Sequence, residues 1–181
     1  RTGFRASVTP LLFTFDHRHL YALSTLGRDK KAIVRLDLCD GREVEVVFEH
    51  QDVDVDALLY SRLRKTITGA SFTTSRRGHE FFDDERHALQ CRLEGLFPDR
   101  QVGVVSASRD ERHLIIHVES DRTMGAYYYY RAGTTEAVKL ADCGPWLDEA
   151  RMASMTPVHY LSRDGLAIHG YLTTPAESTP S

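Results

Sequence analysis

The sequence predicts a mainly β fold on three observations: short apolar runs, turn-forming residues between them, and a repeat of this pattern along the chain. Turns rich in Asp and Gly separate the first runs, and Asp40-Gly41 is the strongest hairpin signal among them. Such spacing is typical of an antiparallel meander. The predicted strands of this first set are Leu11–Phe15, His19–Thr25, Ala32–Leu38 and Val44–Phe48.

The strand pattern repeats along the chain. His19 and His113 open equivalent strands that each follow an Asp-containing turn, and they lie 94 residues apart, which is twice a period of 47. One period after Leu20 falls on Ile67, inside the middle set. Chance similarity among β-strands is the alternative, but this period with four strands per unit is typical of propeller blades. The later predicted strands are Leu58–Tyr60, Thr66–Thr73, His79–Phe82, Val102–Val105, His113–Glu119, Ala126–Arg131 and Ala137–Leu140.

One segment has helical rather than β spacing. Asp83 and Asp84 can cap its start, and Pro98 follows its end. Its apolar residues recur at helical intervals and predict a packing stripe rather than a cofactor site. The stripe consists of Leu89, Leu93, Leu96 and Phe97.

The predicted fold class is therefore a partial β-propeller of about three four-stranded antiparallel blades, with one short inserted helix and a C-terminal hairpin. Because propeller blades pack through both faces, two-sided apolar strands are expected. We assign residues 1–146 to the partial propeller, with the helix near 83–97, and 147–157 to a linker. Residues 158–175 are assigned to the first strands of a further, truncated domain and 176–181 to a tail.

The charge distribution argues against nucleic acid as a partner. Net charge is −3, and the basic residues alternate with acidic runs, which is typical of a solvated surface. No apolar run approaches the roughly 20 residues of a membrane-spanning helix, so no membrane partner is expected. The basic residues considered are Arg62, Arg64, Lys65, Arg76 and Arg77.

The three cysteines form no metal or disulfide pattern. Cys39, Cys91 and Cys143 are far apart and contain no C-x-x-C motif, so neither a structural zinc site nor a disulfide framework is expected. Cys39 and Cys91 lie in apolar patterns, which predicts buried thiols. Cysteine usage leaves the compartment open between cytoplasm and periplasm.

The sequence contains no recognisable catalytic constellation. It has no G-x-S-x-G, G-x-G-x-x-G, P-loop or H-E-x-x-H motif. His17 and His19 are predicted to lie on one side of a strand and could bind a metal as a pair, but such a site lacks the further ligands that a metal needs. We predict no catalytic, cofactor-binding or metal-binding residue in this chain. The carboxylate clusters are interpreted as solvated turns and a helix start: Asp52, Asp54, Asp56, Asp83, Asp84 and Glu85.

The segment 155–175 carries the most specific pattern in the chain. From Pro157 to Pro175 it reads P-x-x-Y-x-S-R-D-G-L-x-I-x-G-Y-L-T-x-P. This pattern closely resembles the propeller-to-hydrolase junction of the prolyl oligopeptidase family, and more narrowly its dipeptidyl aminopeptidase and acylaminoacyl-peptidase branch. The Ser106–Asp110 segment, and Gly125 with the tyrosines that follow it, also resemble the last blade of that branch.

The resemblance implies a parent serine peptidase that hydrolyses short peptides with a Ser-Asp-His triad on an α/β-hydrolase domain, beyond Ser181. It implies that this chain is the non-catalytic propeller fragment, inactive alone, which gates substrate access. The implied partners are the hydrolase domain of the same parent chain and a short peptide substrate. Branches that bind a free N-terminus use a glutamate pair on the propeller, and this sequence contains no convincing counterpart of that pair.

A different class of function stays open from the residues alone. The chain is alternatively a stand-alone propeller-like protein-interaction module. Open blade edges present unpaired backbone groups, which invite self-association.

Overall fold

The computed structural model describes residues 6–175, so the predicted tail 176–181 lies outside the described residues. The chain divides after Gln90 into two compact units, which are described separately. The strands of the first unit are β1 (Val8–Phe13), β2 (His19–Ser24), β3 (Ala32–Asp37), β4 (Glu43–Phe48), β5 (Val55–Ser61), β6 (Thr66–Thr73) and β7 (Arg77–Phe81). Helix α1 (Asp84–Leu96) spans the division. The second unit contains β8 (Gln101–Ala107), β9 (His113–Ser120), β10 (Thr123–Arg131), β11 (Ala137–Asp142), the short 3-10 helix Glu149–Arg151, β12 (Met155–Leu161) and β13 (Ala167–Thr173).

The first sheet is an antiparallel meander in the order β1-β2-β3-β4. Strand β3 is its centre, because Ala32, Ile33 and Val34 are all fully buried although neighbouring side chains point to opposite faces. Val34 packs in a cluster with Ala22 and Leu36. Burial on both faces is what a propeller strand requires, and the expected two-sided strand is observed here.

The second sheet, β5-β6-β7, packs against the other face of the first. Ile33 of β3 forms one buried cluster with Val55, Leu58 and Ala70. Gly69 allows β6 and β7 to approach closely, since a Cβ on it would lie 2.3 Å from the backbone oxygen of Glu80. Thus the first two sheets share a core.

The second sheet has three strands in the described structure, where about four were expected. Glu43 opens β4 in the first sheet, and Ala137 opens β11 in the third, 94 residues later. The position midway between them is Gln90, which lies in α1. The helix therefore takes the sequence position of the fourth strand instead of following a complete blade.

Helix α1 forms as its sequence predicts. The Asp83 side chain accepts a hydrogen bond from the backbone N–H of Arg86 at 2.8 Å, which caps the first turn. Leu93 is fully buried, and Leu89 and Leu96 on the same stripe are half-buried. The predicted apolar stripe is thus the covered face of the helix.

The third sheet, β8-β9-β10-β11, is again an antiparallel meander. Leu114, Ile116 and Val118 alternate along β9 and bury one face. Tyr130 is fully buried on β10, and its hydroxyl donates to the backbone oxygen of Thr134 at 3.1 Å. Strands β12 and β13 form a separate two-stranded hairpin.

The repeat predicts the place of each second strand correctly. Strands β2, β6 and β9 are each second in their own sheet, and they contain Leu20, Ile67 and Leu114 at intervals of 47 residues. A mainly β chain of antiparallel sheets with one helix and a C-terminal hairpin is therefore confirmed. No helix within residues 6–175 is both long and apolar enough to cross a membrane.

The predicted burial of two cysteines is wrong. Cys39 is exposed because it follows β3 in the turn to β4. Cys91 is exposed because it lies two residues from both Leu89 and Leu93, which places it on the opposite side of the helix from the stripe. An apolar neighbourhood in sequence did not indicate the direction of either side chain.

Candidate interdomain surface

The terminal hairpin is fully paired within itself but buries none of its side chains. Strands β12 and β13 pair in continuous register from Met155↔Thr173 to Leu161↔Ala167. Every residue of both strands is exposed or half-buried. A two-stranded hairpin without a covered face is marginally stable in water, so this element gains little stability from the side-chain burial described here.

Both faces of the hairpin carry apolar side chains. Directly paired residues share a face, so Tyr160 and Ile168 lie on one side, and Leu161 lies on the other. Leu161 is 72% exposed and Tyr160 61% exposed. Exposed apolar side chains on both faces are a feature of interaction surfaces.

The hairpin turn is organised by its own polar residues. The Ser162 hydroxyl donates to the Asp164 carboxylate, which also accepts from the backbone N–H of Leu166 at 3.3 Å. These bonds, led by that from Ser162, hold the pKa of Asp164 below its usual range. Gly165 adopts φ +83°, a left-handed conformation that favours glycine. The S-R-D-G motif is thus the turn itself.

A group of ion pairs ties the segment before the hairpin to the third sheet. Glu149 accepts from Arg100 at 2.8 and 3.0 Å and lies 3.7 Å from a nitrogen of Arg122. The Asp121 carboxylate accepts from the backbone N–H of Met155 at 2.7 Å, where β12 begins. The contacts of Glu149 and Asp121 fix the start of the hairpin while its body stays uncovered.

The two histidines considered as metal ligands do not lie on one strand. His17 lies in a turn at φ +57°, and only His19 belongs to β2, so the two histidines do not share a strand. Within residues 6–175, no group of three or more His, Cys, Asp or Glu side chains could hold a metal ion.

The carboxylate and arginine clusters have structural roles. Asp54 accepts from the backbone N–H of Lys31 at 2.8 Å, and Asp56 accepts from the Thr73 hydroxyl at 2.7 Å. Asp83 caps α1 and also accepts two hydrogen bonds from Arg64, and hydrogen bonding by Arg64 is the main cause of the lowered pKa of Asp83. Asp83 thus lies at the expected helix start, whereas Asp56 lies on strand β5 rather than in a turn.

Comparison with known proteins gives the class of the fold. No protein-family model matches the chain. A prolyl endopeptidase structure aligns with TM-score 0.62 and 12% identity, over 98% of this chain and 25% of its own. Prolyl oligopeptidase B from Galerina marginata, with a bound 35mer substrate, aligns with TM-score 0.62 and 14% identity, over 96% of this chain and 24% of its own. The chain therefore has the fold of a prolyl oligopeptidase propeller region.

A curated relative narrows this class. Dipeptidyl aminopeptidase BIII from Pseudoxanthomonas mexicana is 25% identical over 169 residues, which cover 93% of this chain and 24% of the relative. The resemblance seen in the sequence is thus confirmed: the chain is similar in sequence to part of a dipeptidyl aminopeptidase and in fold to part of prolyl oligopeptidases. It spans about a quarter of the length of the proteins that it matches.

Proposed function

We propose that this chain is the propeller region of a serine peptidase that hydrolyses short peptides, and that it gates access to an active site on an α/β-hydrolase domain. The catalytic triad belongs to that domain, so the chain alone is inactive. Its partners are the hydrolase domain of the same parent chain and the peptide substrate. The division into a propeller at 1–146, a linker at 147–157 and entrance strands at 158–175 is part of the proposal.

The observation that carries this proposal is the uncovered terminal hairpin. It follows the third sheet, and its first residue, Met155, donates a backbone hydrogen bond to Asp121 between β9 and β10. It exposes apolar side chains on both faces. Such a strand pair is stable when a larger sheet or a domain covers it. The alignment with the dipeptidyl aminopeptidase extends over 93% of this chain, which supports a junction that leads into a hydrolase domain.

The gating function follows from the physics of access. A cap above an enclosed active site admits a short, flexible peptide and excludes a folded chain, because the latter must unfold to reach the nucleophile. Unfolding a typical domain costs about 5–15 kcal/mol. A propeller cap therefore selects substrates by size.

The test uses the complete reading frame that contains these 181 residues, beside the chain alone. The longer protein should contain G-x-S-x-G after Ser181 and hydrolyse a dipeptide p-nitroanilide, with loss of activity to a serine-directed inhibitor. It should cleave a short, unfolded peptide far faster than the same peptide segment within a folded protein. The isolated chain should show no turnover.

The outcomes separate the two halves of the proposal. Turnover by the isolated chain, abolished by the serine-directed inhibitor, would refute the assignment as a non-catalytic fragment. Equal kcat/KM on folded and unfolded substrates in the longer protein would refute gating but keep the peptidase assignment. A reading frame without any hydrolase sequence after Ser181 would refute both.

The hairpin can be tested separately. Leu161→Asp should destabilise the longer protein by about 1.5–3 kcal/mol, the value of one buried Leu side chain, and leave the isolated chain nearly unchanged. Val138→Asp is the matched control, since Val138 is similarly exposed but lies on β11 of the third sheet. An equal effect of both variants in the longer protein would argue against docking through the hairpin.

A stand-alone interaction module is the second candidate, and the open sheet edges favour it. Strand β11 is an edge strand of the third sheet and exposes Val138 and Leu140. Unpaired edges with apolar side chains favour pairing with another copy of the chain. Concentration-dependent mass in light scattering is expected for the isolated chain, and a monomer at every concentration would contradict edge-mediated self-association.

A further inference from the structure

A cysteine, a histidine and a glutamate meet on the third sheet, although no sequence motif joins them. The Cys143 Sγ lies 3.6 Å from Nε2 of His117. The other ring nitrogen, Nδ1, lies 3.6 Å from Oε2 of Glu119. His117 and Glu119 are two residues apart on β9 and therefore project from the same face.

The local fold builds this arrangement. Gly125 adopts φ +86° at a register shift between β9 and β10. A Cβ on Gly125 would lie 2.6 Å from Nε2 of His117, so glycine leaves the space that the imidazole occupies. The backbone N–H of Cys143 donates to the oxygen of Gly125 at 2.9 Å, which places the thiol at the ring. The Tyr127 ring, 4.9 Å away, covers the imidazole.

The thiol, imidazole and carboxylate follow one another in the order found at activated cysteine nucleophiles. A carboxylate facing Nδ1 favours the tautomer with the proton on that nitrogen, which leaves Nε2 as the acceptor. A thiol beside a neutral imidazole can transfer its proton to it, and the thiolate is the reactive form of cysteine. Glu119 acts here as a positioning residue through His117.

We propose that Cys143 is the nucleophilic thiol of this chain and the preferred site of thiolation by low-molecular-weight disulfides. In the step, the Cys143 proton moves to Nε2 of His117, and Sγ attacks one sulfur of the disulfide. The disulfide bond breaks, a protein mixed disulfide forms, and the second sulfur leaves as a thiolate that takes up a proton. Cys143 is oxidised, and the departing thiol is the reduced product.

The other two cysteines are more exposed than Cys143. Cys39 is exposed, but the charge of Asp37, together with a hydrogen bond to it, raises the pKa of the Cys39 thiol. Cys91 is exposed on α1. Exposure alone would make both of them react faster than the half-buried Cys143. The proposal therefore predicts the reverse of the order that exposure gives.

An adduct on Cys143 would stand at the start of the segment that leads to the terminal hairpin. Gly144, the next residue, is closely packed: a Cβ on it would lie 3.1 Å from the Met124 sulfur and 3.2 Å from Leu147 Cδ1. Met124 and Leu147 are both exposed, so their side chains can give way, and the adduct would lie beside the segment that links the third sheet to the hairpin.

The experiment treats the native chain with the aromatic disulfide 5,5′-dithiobis(2-nitrobenzoate) at neutral pH and follows thionitrobenzoate release. Peptide mapping assigns the early adduct. Cys143 should react at least about tenfold faster than Cys39 or Cys91, as expected of a thiol with a neighbouring base. Equal or slower labelling of Cys143 overturns the proposal, and this comparison needs no variant.

Variants test the part played by the histidine. His117→Gln keeps a polar side chain but cannot take up the proton, so it should remove the rate advantage of Cys143. His113→Gln is the matched control: His113 lies on the same face of β9 and contacts Tyr129 instead of a thiol. Glu119→Gln should give an intermediate rate. An unchanged Cys143 rate in folded His117→Gln protein would overturn the assigned role of His117.

Discussion

The first sheet and the terminal hairpin have the same kind of pairing and turn but differ in how much of their side chains is buried. Both are antiparallel, and both contain a tight turn held by an aspartate, Asp16 in one and Asp164 in the other. In the first sheet, Ile33 and Val34 are fully buried on opposite faces. In the hairpin, no described residue of either strand is buried. Local pattern therefore forms both elements, and core packing stabilises only one.

The difference shows where stability resides. Hydrophobic burial supplies most of the favourable free energy of folding, while turn and ladder hydrogen bonds contribute modest net amounts. The first sheet should therefore unfold with the main cooperative transition of its unit. The hairpin should open locally at low cost until another surface covers it.

A pair of isoleucine truncations should give the largest contrast. Ile33→Ala removes a fully buried side chain shared by the first and second sheets, so it should cost about 2–5 kcal/mol of unfolding free energy. Ile168→Ala, on half-exposed β13, should cost less than about 1 kcal/mol. Urea unfolding followed by circular dichroism measures both. Equal costs would mean that the hairpin also belongs to a cooperative core.

The Arg28–Glu43 pair should give an intermediate effect within the first sheet. Arg28 donates to both carboxylate oxygens of Glu43, at 2.7 and 3.2 Å, and the buried Ser24 hydroxyl donates as well. Glu43→Gln should cost about 1–3 kcal/mol, as expected for hydrogen bonds to a charged group. Glu45→Gln on the same strand is the matched control, because its ion pair with Arg35 is more exposed and should contribute about 0–1 kcal/mol.

The same pair predicts a pH dependence. Partial burial acts to raise the pKa of Glu43, but the hydrogen bonds from Arg28 and Ser24 outweigh it, so the pKa lies below its ordinary value of 4.5. A lowered folded-state pKa gives stability that is complete above the ordinary, unfolded-state pKa. That stability is lost as the pH falls from there through the folded-state pKa. Acid unfolding of wild type should therefore be steeper than that of Glu43→Gln below pH 4.5. If the acid-unfolding curves of wild type and Glu43→Gln superimpose below pH 4.5, the contribution of the ion pair is contradicted.

The sequence was sufficient to predict secondary structure wherever strand periodicity or turn and cap residues determine it locally. The 47-residue period placed Leu20, Ile67 and Leu114 on the second strand of each sheet, and the aspartate cap predicted α1. It was insufficient where side-chain direction matters, as for the exposed thiols of Cys39 and Cys91. It also could not predict the contact between Cys143 and His117, because 26 residues separate them and only the pairing of β9, β10 and β11 brings them together.

The turns themselves should give the smallest effect and the sharpest comparison. Thr14 and Ser108 are 94 residues apart, and each donates through its hydroxyl to an aspartate two residues later, Asp16 or Asp110. These bonds are the first cause of the lowered pKa of each aspartate. Ser162 and Asp164 repeat this contact in the hairpin.

Asp16→Ala and Asp110→Ala should each lower the main thermal midpoint slightly, by less than about 4 °C, since each turn belongs to a cored sheet. Asp164→Ala should leave that midpoint unchanged, because the hairpin is not part of the cooperative unit. Hydrogen exchange should instead show faster exchange confined to β12 and β13. A shift of the main thermal midpoint in Asp164→Ala would mean that the same kind of turn contributes equally with and without a core beneath it.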